Sequence, residues 1–194
     1  QIVGHITDGI GFVRNLKEHG VDVKRQKNGS SRCRRCCNSN PGTVCIRRSR
    51  IHFYLQSERP ILCTCRVHSR ETEQRNTRIV KFLLFDLADE AKLKEEVANA
   101  DILVNATLAG MKPHEELTLI KDKSMFRPDL VVADVVYNPA ETRMVKEAKE
   151  AGCKLAIGGK GMLLWQGAAA YKLYTGLEMP TAEYQKFQEE NENK

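Results

Sequence analysis

The chain has 194 residues, 41% of them hydrophobic, and a formal net charge of +6 at pH 7: one ordinary domain's length, with enough apolar side chains for a core. No apolar run is long enough to cross a bilayer, and QIVGHITDGIGF lacks the basic-then-apolar layout of a secretory signal, so a cytoplasmic protein without a membrane partner is expected; starting without Met, it reads as a fragment of a longer chain. The charge is lopsided: residues 25–78 carry a balance of +10 and the remainder −4, and Cys33, Cys36, Cys37, Cys45, Cys63 and Cys65 lie in that basic segment with only Cys153 outside it.

In chain order, Asp8 to His19 predicts a helix, with Asp8 as its cap, an apolar stripe of Ile10, Phe12, Val13 and Leu16, and Gly20 closing it. From Arg25 to about Arg78 no period of 3.6 or 2 is sustained. KFLLFDL then predicts a strand, Ala88 to Ala98 a helix, DILVNAT a buried strand, and Leu117 to Met125 a short helix. DLVVADVVYNP predicts a third strand ended by Asn138-Pro139. After it come a helix over Glu141 to Ala151, a short strand over Lys154 to Ile157, and a helix from Gly161 to Tyr174 finishing at Gly176. Thr181 to Lys194 predicts a short amphipathic helix fraying into polar residues. Apolar strands alternating with amphipathic helices specify an α/β fold with a parallel sheet covered on both faces, which binds ligands at the carboxyl ends of its strands.

Four strings at those positions, HITDGIGF, DILVNATLAGM, DVVYNPAET and GKGMLLWQGAAAYKLYTGLEMP, resemble in order and spacing the shikimate/quinate dehydrogenase family (shikimate 5-dehydrogenase), over residues 1–24 and about 82–181. The resemblance implies a substrate domain followed by a Rossmann-like, doubly wound cofactor domain with NADP or NAD as cofactor. The implied reaction, in aromatic amino-acid biosynthesis, reduces 3-dehydroshikimate to shikimate, or 3-dehydroquinate to quinate. A homodimer is compatible with it.

Hydride transfer to a ketone leaves negative charge on oxygen, so a proton donor and a hydrogen-bonding partner must stand beside the carbonyl. The family uses a Lys and an Asp, and Asp8 matches the Asp; Ile6 stands where Asn is usual. Without the resemblance, Asp8 would be read as a helix cap. Tyr137 and Gln166 resemble substrate contacts, a phenol and an amide suiting a ring with many hydroxyls. Val135, Val136, Tyr137, Asn138 and Gly159 correspond to positions lining the nicotinamide half of the cofactor site, where Gly159 would allow close backbone approach. Lys160 replaces a residue that is usually apolar or aromatic, and Leu108 stands where some quinate-type members carry Lys. No metal site is expected.

After the first helix the family calls for a strand, a G-x-G-x-x-G/A turn, a helix and a second strand, and none is present. Glycine and alanine codons read one base early encode Arg, Trp, Gly, Cys and Ser. Read one base onward, Arg25 to Asn40 permit GKKMVVLGAGGAATAI, and His52 to Arg59 permit IFIFNRKD, a strand ending in the family's ribose-reading turn. Residues 25–80 are therefore read as frameshifted and expected to be poorly ordered, the Rossmann-like sheet as incomplete with its first βαβ unit lost, and the chain as non-catalytic. On this division residues 1–24 are a linking helix, 81–194 the C-terminal part of the NAD(P)-binding domain, and the substrate domain is absent.

The competing expectation is an Arg/Cys-rich zinc or nucleic-acid-binding module on an α/β scaffold. Its spacing lacks a second C-x-x-C or H-x₃₋₅-H pair, and Phe53 and Tyr54 are its only aromatics, so no nucleic-acid partner is expected.

Overall fold

The computed structural model describes residues 3–21, 44–47, 50–55 and 81–192. The chain divides into two compact units, Asp22–Lys160 and the combination of Gln1–Val21 with Gly161–Lys194.

The first unit is built on a six-stranded sheet of β1 (Val44–Arg47), β2 (Arg50–Leu55), β3 (Lys81–Asp86), β4 (Ile102–Asn105), β5 (Val131–Asp134) and β6 (Leu155–Ile157), in the order β3-β2-β1-β4-β5-β6. Numbered along the chain this is 3-2-1-4-5-6, the order of doubly wound dinucleotide-binding sheets. β2 and β3 pair parallel, as do β4, β5 and β6. β1 pairs antiparallel with both neighbours, Cys45 facing His52 on one side and Leu103 on the other. This corrects the expectation of a sheet parallel throughout. Two residues separate β1 from β2, and so short a link can join only antiparallel strands, a parallel pair needing a crossover of about a dozen residues or more. It also sets two strands inside the segment expected to lack regular structure, and pairs the edge of β4 that loss of a βαβ unit would have left open. The rest of residues 25–80 lies outside the described residues.

α2 (Glu90–Ala98) connects β3 to β4, and α3 (Arg143–Glu150) connects β5 to β6. Asp89 caps α2 by accepting from the Lys92 amide at 2.9 Å, and Thr142 caps α3. Leu93 and Val97 of α2, Met144 and Ala148 of α3, and Leu103 and Val132 of the strands form the core that holds these helices to the sheet. β4 and β5 are buried at every position, which is why both read as unbroken apolar runs. Only a single 3₁₀ turn, Lys123–Met125, forms where a helix over Leu117 to Met125 is predicted. The Asp122 carboxylate captures the Ser124 amide at 2.9 Å and starts that turn, while Ile120 just before it is drawn fully into the core.

The second unit holds α1 (Asp8–Glu18), the later residues of α4 (Lys160–Thr175) and α5 (Thr181–Glu192). Asp8 does not cap α1. Thr7 occupies the cap position, without a side-chain cap bond, and Asp8 lies in the first turn, where its negative charge is favoured by the positive end of the helix dipole. α1 and α4 meet backbone to backbone at Gly11. A methyl group there would stand 2.6 Å from both the Met162 carbonyl oxygen and the Gln166 amide nitrogen. Gly161 makes the reciprocal approach, receiving the buried Asn15, whose Oδ1 would lie 2.0 Å from any Cβ. Arg14 stacks on Trp165 with its guanidinium carbon 4.8 Å from the ring centre, so one cation–π contact flanks the crossing.

Candidate functional site

Because β4, β5 and β6 run parallel, their carboxyl ends share one edge of the sheet. Each apolar strand changes chemistry there: β4 ends in Asn105, β5 ends in Asp134, and Gly158 and Gly159 follow β6. Asn105 and Asp134 face each other across the strands, 1% and 2% exposed. Buried polar groups must be bonded, and these are. The Asn105 amide nitrogen donates to both Asp134 carboxylate oxygens at 3.1 Å and to the Ala109 carbonyl at 3.1 Å. The Asn105 carbonyl oxygen accepts from the Thr107 amide at 3.0 Å and the Thr107 hydroxyl at 2.7 Å. Asp134 further accepts from the Val136 amide at 2.9 Å and the Thr142 hydroxyl at 2.7 Å. Burial pushes the Asp134 carboxyl above the usual carboxylate range, and its bonds from Thr142, Val136 and Asn105 pull it back only in part.

The predicted cofactor-lining residues Val135, Val136, Tyr137 and Asn138 leave this edge directly after Asp134. Val136 is buried, Val135 half-buried, and Tyr137 and Asn138 exposed. Gly159 returns to the same segment, its amide donating to the Val136 carbonyl at 2.8 Å. A Cβ on Gly159 would sit 2.2 Å from the Val135 carbonyl oxygen, so the backbone that comes close to Gly159 is the chain's own strand end. The five residues named for the cofactor are thus neighbours at one strand-end edge. Leu108 is exposed in the turn after β4, and Lys160 is exposed at the start of α4.

In the other unit, the Thr7 hydroxyl donates to the Gln166 side-chain oxygen at 3.2 Å, which places Gln166 beside the entry of α1, on the residue that precedes Asp8. The close crossing at Gly11 allows this, since Gln166 supplies one of the two backbone atoms against which Gly11 packs. Asp8 is exposed, and among the described residues no hydrogen bond or ion pair holds its carboxylate. Ile6, where Asn is usual, is 65% exposed.

Sequence reasoning missed Asn105, Asp134, Thr142 and Thr7. The signal was present for the first two, because a single Asn or Asp ending an otherwise apolar buried strand needs a buried partner, and two such strand ends adjacent in a parallel sheet supply each other. A cleft of about 280 Å³ lined by Glu115, Lys123, Glu141, Arg143, Lys146 and Glu147 contains none of the predicted residues. Its charges serve one another, Glu147 accepting from Arg143 at 2.9 Å and pairing with Lys123 at 3.5 Å. Among the described residues no three His, Cys, Asp or Glu side chains are grouped to hold a metal ion, and no helix is long and apolar enough to cross a membrane.

Residues 159–183 match the shikimate 5'-dehydrogenase C-terminal domain family. Over 184 residues the chain is 43% identical to the shikimate dehydrogenase (NADP(+)) of Streptococcus uberis, a likeness covering 93% of this chain and 60% of that protein. It is 37% identical to the enzyme of the same name from Listeria innocua, covering 92% and 60%. Among solved structures, the shikimate 5-dehydrogenase of Listeria monocytogenes in complex with shikimate and NAD superposes with a TM-score of 0.69 at 32% identity, over 95% of this chain and 63% of that one. The chain spans about three-fifths of the length of the curated relatives it matches. The sequence likeness, over more than nine-tenths of this chain, and the matched segment at 159–183 are both to the shikimate dehydrogenase family, and the strand order agrees with a dinucleotide-binding sheet.

Proposed function

We propose that these 194 residues are the cofactor-domain portion of an NADP- or NAD-dependent dehydrogenase that reduces 3-dehydroshikimate to shikimate, or 3-dehydroquinate to quinate. The likeness to shikimate dehydrogenases across 93% of the chain carries the proposal. Asp8 serves as the acidic partner of a Lys that stabilises the reacting oxygen, Tyr137 and Gln166 contact the substrate, and Val135, Val136, Tyr137, Asn138 and Gly159 line the nicotinamide side. Thr7 supports the role of Gln166 by fixing its amide orientation, and the free carboxylate of Asp8 suits a group that must receive a partner.

The residues present fit one half of a nicotinamide dinucleotide, which when bound supplies the hydride. Exposed Tyr137 and Asn138 beside the Val135 backbone suit the ring end. The diphosphate end does not fit. It needs bare backbone amides at a helix N-terminus following the first strand, whereas β1 leads into β2 through two residues, and no G-x-G-x-x-G/A stands anywhere in the sequence. A chain without that cradle holds the cofactor too poorly to turn over.

A substrate domain carried outside these residues completes the enzyme. Two observations support it: about two-fifths of the relatives' length lies outside the match, and α4 is rich in apolar residues while Leu164 alone of it is buried. The aberrant segment at 25–80 takes the place of the family's first βαβ unit, and the likeness continuing along 93% of the chain supports its replacing that unit without adding length.

Purified, the 194-residue chain is expected to reduce NADP⁺ or NAD⁺ with shikimate or quinate at no more than the background rate; turnover above background contradicts the proposed inactivity. The gene product with the frame of residues 25–80 restored and its substrate domain joined is expected to turn over shikimate. Failure of that product to turn over either acid overturns the dehydrogenase assignment.

A further inference from the structure

Three backbone segments converge on the Asp134 carboxylate. On β4 the link is Asn105, whose amide nitrogen bonds both carboxylate oxygens and whose carbonyl oxygen holds the Thr107 amide and hydroxyl, fixing the turn through Ala109. On β5 the link is local, from the Val136 amide. On α3 the link is Thr142, which gives its hydroxyl proton to Asp134 while its oxygen caps the Val145 amide at 3.4 Å. Among the described residues, every hydrogen-bond partner of the carboxylate is a donor, and none of them is a cation. A carboxylate with only donors around it has no acceptor for a proton of its own except the Thr142 oxygen, and using that one reverses the Thr142 bond.

We propose that Asp134 is a positioning residue that locks the 105–109 turn, the 135–137 strand end and the N-terminus of α3 into a single rigid edge. It touches neither cofactor nor substrate; it acts by fixing the backbone from which Val136 and Tyr137 are presented. Its value to catalysis rests on the dehydrogenase assignment, but the lock exists or fails without any ligand, so the two can be tested apart.

The test is amide hydrogen exchange of the full chain, followed residue by residue by NMR, in Asp134→Asn, Thr142→Val and Thr142→Ser. Whichever way the new amide of Asp134→Asn turns, its NH₂ faces the Asn105 nitrogen, so the lock predicts exchange about tenfold faster or more at both Thr107 and Val136. Thr142→Val is expected to speed exchange at Val136 as well as at Val145, and Thr142→Ser, which keeps the hydroxyl, to return both to wild-type rates. A merely structural helix cap would alter Val145 alone. The proposal is overturned if Thr107 is unchanged in Asp134→Asn, or if Thr142→Val loosens Val145 and leaves Val136 untouched. Should Asp134→Asn fail to fold, the two Thr142 variants decide by themselves.

Discussion

At Asp134, burial favours the neutral acid and four incoming hydrogen bonds favour the anion, and burial prevails, so the folded carboxyl titrates above its usual 3.8. The sign of the consequence follows from proton linkage. A folded state that binds this proton at higher pH than the unfolded chain gains stability from the neutral form below 3.8 and loses it as pH rises through the folded value, with no further change above. Among the described residues its hydrogen-bond partners, Asn105, Thr142 and the Val136 amide, are none of them ionisable. The unfolding free energy of the wild type measured against Asp134→Asn by urea denaturation at a series of pH values is therefore expected to fall as pH rises out of the acid range; a difference that is flat or climbs contradicts it. Asp122 runs the other way. Its hydrogen bond from Lys94 holds it at about 2, so its contribution is present above 3.8 and is lost as pH falls toward 2, and being fully exposed it contributes little. At this scale the sequence singled out residues by their surroundings in the chain. Tyr137, Asn138 and Gln166 stood out because their flanking strings were specific, whereas Asp134 and Asn105 looked like ordinary ends of apolar runs until pairing of the strands put them face to face.

Among the elements, α1 shows where pattern and packing part company. Its apolar stripe of Ile10, Phe12, Val13 and Leu16 predicts the buried face, yet the fully buried positions are Gly11, Asn15 and Leu16, and Ile10 is 49% exposed. Small residues set this contact. Gly11 admits the α4 backbone and Asn15 fits against Gly161, so the helices approach more closely than a stripe of branched side chains would allow. Replacing Gly11 by Ala tests this with two opposed magnitudes. An Ala within a helix is favoured over Gly by about 1 kcal/mol, while overpacking against rigid atoms costs about 1–3 kcal/mol. Here the obstacles are the Met162 carbonyl and the Gln166 amide, backbone atoms that cannot rotate away, so the steric term should win. Gly11→Ala is expected to lower the thermal midpoint followed by circular dichroism; an unchanged or higher midpoint would show that the two helices can separate freely. Thr142 before α3 and Asp89 before α2 carry cap chemistry in their own side chains, whereas nothing in the residues before α1 distinguishes Thr7 from Asp8 as its start.

For the whole molecule, the alternation of apolar strands and helices after residue 80 gave the α/β class and the parallel run of β4, β5 and β6 directly. The central strand was not legible, because Arg, Cys and Ser in residues 25–78 offer neither a period of 2 nor one of 3.6 from which to place a strand. A frameshift, as proposed, would explain that composition by codon chemistry, and the coding DNA decides it. Its codons over Arg25 to Asn40 and His52 to Arg59 are expected to spell GKKMVVLGAGGAATAI and IFIFNRKD in the next frame. An open frame whose bases cannot encode those strings sinks the explanation.

The reversed course of β1 also bears on any attempt at repair. Polypeptide enters this strand at the level of Val104, near the edge where β4 and β5 finish, and exits it at the far side. A glycine loop grafted after Arg47 would consequently emerge on the wrong rim of the sheet, a whole strand's length from the nicotinamide end. If dinucleotide affinity is lost as proposed, recovering it would demand turning the central strand around, a change of topology that no point substitution or loop exchange can deliver.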